Sequence, residues 1–159
     1  MKRLETEPRL AALLDGRQSG SHPEGTLHIR FQRCSDFLNL SRFVVDAISP
    51  GAFVLDIDEH GVWPSSENWF LFDSLSLQLF GAVHRVRAMQ FDDTEREAAL
   101  SFLQIALQFG WGGIFMANES RYFRFSHDEV GKICGRIDAE HVSSLRRLSG
   151  ISVIGDRAL

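Results

Sequence analysis

Carboxylates are the residues of this chain with the most chemical potential. Asp56, Asp58 and Glu59 stand together in Asp-Ile-Asp-Glu at the end of a short apolar run. Alternate residues of a strand face the same side, so Asp56 and Asp58 are candidates to hold Mg²⁺ jointly, as in a metal-dependent hydrolase. Such a site needs a third carboxylate, for which Glu67 and Asp92 are the candidates. The competing reading is a solvated strand end. His127-Asp128-Glu129 places an imidazole beside two acids, which suits a general base or a metal ligand. Ser126 and Glu129, however, have the spacing of a capping box, and that alone explains the segment as a helix start. Cys34 precedes an expected helix N-terminus, where a thiolate is favoured, with His28 and His60 as candidate partners. Its bland alternative is a packed, inert thiol. Trp63 lies in a Gly-Val-Trp-Pro loop between acidic residues, the composition of a protein-binding hot spot. Equally, it is a loop aromatic folded back over the core. No Gly-rich phosphate loop, zinc-protease helix, nucleophile elbow or Cys-x-x-Cys pair is present.

The elements that must position these residues follow from apolar periodicity. Leu10, Leu13 and Leu14 give a short N-terminal helix, followed by a polar, turn-rich segment, Arg17 to Gly25, read as mobile. Residues 1–25 are set apart on this ground from a single globular domain over 26–159. Leu27, Ile29 and Phe31 alternate with polar residues, the mark of a half-buried strand. Ser35 is placed to cap a helix running to Ile48, and Ala52 to Asp58 reads as a more buried strand. Ser65 or Ser66 opens an apolar helix that ends at Gly81, and a weaker strand covers Val83 to Phe91. Thr94 and Glu97 match a capping box before a helix over Glu95 to Phe109. That helix is apolar nearly all round, so a central position is expected. Asn118-Glu119-Ser120 signals a hairpin between Ile114–Ala117 and Arg121–Phe125. A helix at the Ser-His-Asp-Glu segment, one over Ala139 to Leu148 and a tail strand, Ile151 to Ile154, complete the order. Without the Gly-rich βα turns of a nucleotide fold, this mixture predicts an α+β sandwich, with α/β as the alternative, built on a small mixed sheet with packed helices.

The 159 residues suit one domain, and 44% hydrophobic with 24% charged residues is ordinary globular composition. No run of 18 uncharged apolar residues exists. The N-terminus lacks the apolar stretch of a secretory signal, and two cysteines give neither a disulfide framework nor a cysteine-based zinc site. A cytoplasmic protein is expected. The net charge of −4 is unevenly spread: residues 51–100 hold three basic and nine acidic residues, against seven and six in each flanking segment. This acidity argues against a nucleic-acid ligand and permits a basic protein partner.

Three segments taken together resemble a known group of proteins: His60 to Leu75 (HGVWPSSENWFLFDSL), Ser101 to Gly113 (SFLQIALQFGWGG) and Tyr122 to Val130 (YFRFSHDEV). They resemble the bacterial immunity proteins of polymorphic and contact-dependent toxin systems, over about residues 52–130. The chain departs from that pattern at Val130, where an aromatic often follows Ser-His-Asp-Glu, and over Gly81 to Asp93. The resemblance implies a protein with no enzymatic activity and no cofactor. It would bind a cognate toxin effector domain in the cytoplasm, occluding its active site or locking it inactive. Many such toxins are basic nucleases, so Asp56, Asp58, Glu59, Trp63, Glu67, Asp92 and Asp93 are the expected partner-facing residues. Two rivals stand beside it: the hydrolase built on Asp56 and Asp58, and a ligand-binding regulatory module whose pocket is lined by the Trp111 turn.

Overall fold

Strict alternation of apolar residues produces strands only where one face can be buried, and this chain supplies several such segments. A computed structural model describes residues 2–3, 25–32, 35–48, 52–59, 69–81, 88–118 and 120–157. In chain order these form β1 (Lys2–Arg3), β2 (Thr26–Phe31), α1 (Phe37–Ile48), β3 (Phe53–Glu59), α2 (Trp69–Phe80) and β4 (Ala88–Phe91). There follow a 3₁₀ turn (Asp93–Glu95), α3 (Arg96–Gln108), β5 (Gly112–Asn118), β6 (Arg121–Phe125), β7 (Val130–Cys134), α4 (Ala139–Arg146) and β8 (Ile151–Arg157). The strands make one sheet in the order β1-β4-β3-β5-β6-β7-β2-β8. Every pairing among the described residues is antiparallel, so the fold is α+β and the sheet is antiparallel rather than mixed. The physical reason lies in the connections: hairpins join β5, β6 and β7, and none of the described helices serves as a parallel crossover. The expected N-terminal helix lies outside the described residues. Lys2 and Arg3 pair with Gln90 and Met89 at one edge of the sheet.

One face of the sheet carries the core. Leu27, Ile29, Phe31, Phe53, Leu55, Ile57, Phe115 and Phe123 point from the strands against α1 and α3. In α1 the buried set Phe37, Leu40, Val44, Val45 and Ile48 follows helical spacing. In α3, Ala99, Leu100, Phe102, Leu103, Ala106 and Leu107 form a broad inner face, in keeping with the central position expected of it. Burying a Phe or Leu here contributes about 1.5–3 kcal/mol. An ion pair between Arg96 and Asp46 ties the two helices at their exposed edge.

Local chemistry at the element ends departs from the sequence reading in three places. Asp36, not Ser35, accepts from the α1 amide of Asn39 at 3.2 Å, while Ser35 is buried and makes other bonds. Before α3 the capping box is Asp92 with Glu95: the Asp92 carboxylate accepts from the Thr94 amide at 2.8 Å, and the Asp92 amide donates to Glu95 at 3.1 Å. Asp92 wins because the turn closes two residues earlier than the Thr94–Glu97 spacing requires. At Ser126 to Glu129 no helix forms. The Ser126 amide donates to the Val130 carbonyl at 3.0 Å, closing a hairpin between β6 and β7 with Glu129 at φ +62°. Apolar alternation on both sides of this segment overrides its helix-start chemistry.

Candidate functional site

Asp56, the residue expected to lead both the catalytic and the partner-facing readings, is 0% exposed. It sits on β3 opposite Ala88 and Ile114, on the sheet face away from α1 and α3. There Val54, Ala88, Ile114, Met116, Tyr122 and Cys134 form a second, smaller apolar cluster. Asp56 therefore belongs to no partner-facing surface. The pairing of β3 with β5 shifts register between Ile57 and Glu59. Trp63 and Glu67 lie outside the described residues.

The remaining acids are separated by the strand register. Phe53 pairs with Phe91, which puts Asp92 and Asp93 beside the start of β3, whereas Asp58 and Glu59 stand at its end, about 20 Å away along the strand. Asp93 is exposed, and so is Asp92, but the carboxylate of Asp92 is committed to the cap. Bonds from the Thr94 hydroxyl and amide hold Asp92 below the usual carboxylate range. Among the described residues no three His, Cys, Asp or Glu side chains converge. Trp111 is fully buried beside Phe109, at 6.0 Å between ring centres. His127 and Asp128 lie in the β6–β7 turn, 3.4 Å apart, with the Asp128 amide donating to Ser126 Oγ.

Two surfaces stand out among the described residues that the sequence reading did not single out. The first is an open cleft of about 230 Å³ on the outer face of β6, β7, β2 and β8. Register aligns Arg124, Lys132 and His28 across three neighbouring strands. Strands lie about 4.8 Å apart, so Arg124 and Lys132 are held as directly opposed cations, an arrangement that is destabilising unless compensated, with His28 beside them. Ser126, Val130 and Ile154 complete the walls, and among the described residues no carboxylate lines the cleft. The Lys132 ammonium lies 5.7 Å from the centre of the Tyr122 ring. Its hydrogen bond to the Tyr122 hydroxyl holds it above the usual lysine range. Burial, and then a bond with Cys134, pushes the Tyr122 hydroxyl up in turn. The signal for this face was present in the alternation itself: the residues between Leu27, Ile29 and Phe31 are His28 and Arg30, and those flanking Phe123 and Ile133 include Arg124 and Lys132.

Comparison with protein-family models, curated proteins and solved structures returns no match.

The second surface is α2. This helix turns Ser76 fully inward and half-buries Leu75 against the core, yet Phe70 is 75% exposed, Leu77 53%, Leu71 50% and Leu79 47%. Phe70 and Leu77 lie two turns apart on one stripe. Leu71, Leu75 and Leu79 follow i, i+4, i+8 spacing on the next. Together the four exposed side chains present roughly 400 Å² of apolar surface, divided between two stripes by Ser74 and Gln78. None of the described helices is long and apolar enough to cross a membrane, so α2 is not explained as a span.

Proposed function

We propose that this chain is a non-catalytic binding module of the immunity type, which recognises a cognate bacterial toxin effector domain in the cytoplasm and neutralises it by covering or locking it. The observation that carries this reading is α2, a helix that leaves Phe70, Leu71, Leu77 and Leu79 exposed on either side of Ser74 and Gln78. Their area is about half of the ~800 Å² that each partner contributes to a standard protein–protein interface. The first half of the helix, Trp69 to Leu75, also lies within the segment, His60 to Leu75, that resembles immunity proteins. A contact centred on α2 is hydrophobic, so it differs from the steered, acidic encounter expected from residue types alone.

The test is recovery of partners on the tagged chain from its native bacterium at low and at high salt. One large protein with a separate C-terminal toxin domain is expected, retained at high salt because apolar contact is not screened. Co-expression of that toxin domain with the chain should restore growth. If no such partner is recovered, or if the recovered domain is equally toxic with and without the chain, the reading is wrong.

A further inference from the structure

The outer-face cleft is chemically unlike α2 and calls for a different ligand. We propose that it binds a dianionic phosphoryl group carried on a small organic molecule, seated across Arg124, Lys132 and His28. Register fixes these three in one row across β6, β7 and β2, and none of the described residues that line the cleft is negative. Two permanent cations as direct neighbours are neutralised by a dianion, while a carboxylate leaves one of them uncompensated. The ammonium of Lys132 is already oriented by the Tyr122 ring and hydroxyl. Ser126 Oγ accepts from the Asp128 amide at 3.2 Å and keeps its own proton to donate. The organic portion has somewhere to lie: Ile154 is 59% exposed at the rim and Val130 is half-buried in the wall. A volume of about 230 Å³ suits a phosphoryl group with a small ring or short chain rather than a large cofactor. A single-stranded nucleic acid is disfavoured because the described residues of this face present no exposed Phe, Tyr or Trp ring as a stacking platform.

This inference does not depend on the proposed partner, and its experiment uses the isolated chain. Phenyl phosphate, inorganic phosphate and benzoate are titrated against the protein at constant ionic strength, followed by calorimetry and amide chemical shifts. Phenyl phosphate should bind one site, at least tenfold more tightly than benzoate, with inorganic phosphate between them. Shifts should cluster at residues 124–132 and at His28. Arg124→Gln and Lys132→Gln should each weaken phenyl phosphate at least tenfold, and the exposed Arg124 position provides a variant that stays folded. Equal binding of phenyl phosphate and benzoate would overturn the proposal. So would a response set by ionic strength alone, or unchanged binding in Arg124→Gln.

Discussion

The Ser35 hydroxyl donates to the Gly150 carbonyl at 2.8 Å, closing together two segments 115 residues apart. The same oxygen accepts from the Gln32 amide at 2.7 Å, and the Asp36 amide donates to Ser149 at 3.0 Å. Gly150 has φ +74°, and a Cβ there would stand 2.6 Å from Ser35 Oγ. The residue expected to cap α1 instead fastens the start of that helix to the turn before β8.

Ser35→Ala removes both bonds of a buried hydroxyl and should cost about 1–3 kcal/mol, read as a fall in Tm of roughly 2–4 °C per kcal/mol. Gly150→Ala adds a left-handed penalty of about 1–2 kcal/mol to the close approach. In the Ser35→Ala background the second change should cost at least ~0.5 kcal/mol less than it does alone. Additive costs in chemical denaturation would show that the two residues do not meet.

Glu129 occupies the left-handed region at φ +62°, and its carbonyl accepts from the Phe31 amide at 2.9 Å. Glycine adopts that backbone without a Cβ penalty and retains the carbonyl bond. Glu129→Gly should therefore raise stability by about 1 kcal/mol, observed as a higher denaturation midpoint with unchanged slope. A midpoint at or below that of the parent chain would contradict the hairpin geometry.

Tyr122 and Lys132 both hold their protons more tightly in the folded chain, Tyr122 through burial and Lys132 through the Tyr122 hydroxyl. Their contribution is complete below their ordinary values of 10.0 and 10.5 and is lost as pH rises past them. Melting followed from pH ~9 to ~11.5 should show the parent falling more steeply than Tyr122→Phe, with the two curves converging at high pH. Parallel curves would remove Tyr122 from the account.

Acid behaves in the opposite sense at the helix caps. The His141 amide holds the Asp138 carboxylate below the usual range, as Thr94 does for Asp92. Stability from both is present above their ordinary value of 3.8 and disappears as pH falls through the lower, folded values. Asp138→Asn should flatten the decline in Tm below about pH 4, and Asp92→Asn should do so independently, because each titrates in its own cap.

Charge placed on α2 separates binding from folding. Leu71→Glu and Leu77→Glu alter exposed positions, so each should change stability by about 0.5 kcal/mol or less. In the pull-down, the pair should abolish recovery of the toxin-domain partner while the melting temperature is retained. Full recovery with both substitutions would place the interface elsewhere.

Period and punctuation made β2, β3, α1, α2, α4 and the β5–β6 hairpin legible, because Leu27, Ile29 and Phe31, or Leu40, Val44 and Ile48, carry their own period. Tertiary competition was not legible. Ser126 and Glu129 spell a helix start, but the partners that pull their flanks into β6 and β7 come from other parts of the chain. The candidate site was lost for a related reason. Counting charge along the chain grouped Asp56 with Asp92, which the fold separates into a buried strand position and an exposed cap. It also divided His28 from Arg124 and Lys132, which strand pairing makes neighbours. Each of the three faces outward from an alternating strand, so their exposure was readable, whereas their adjacency depends on β2 lying next to β7.

The strand order also bears on how the chain is made. β2 ends at Phe31, yet its neighbours, β7 and β8, begin only at Val130 and Ile151. During synthesis at roughly 5–20 residues per second, about 5–20 s separate the emergence of β2 from that of its first partner. Throughout that interval Leu27, Ile29 and Phe31 have no sheet to enter, and a nascent chain stalled before residue 130 leaves them open to capture by chaperones.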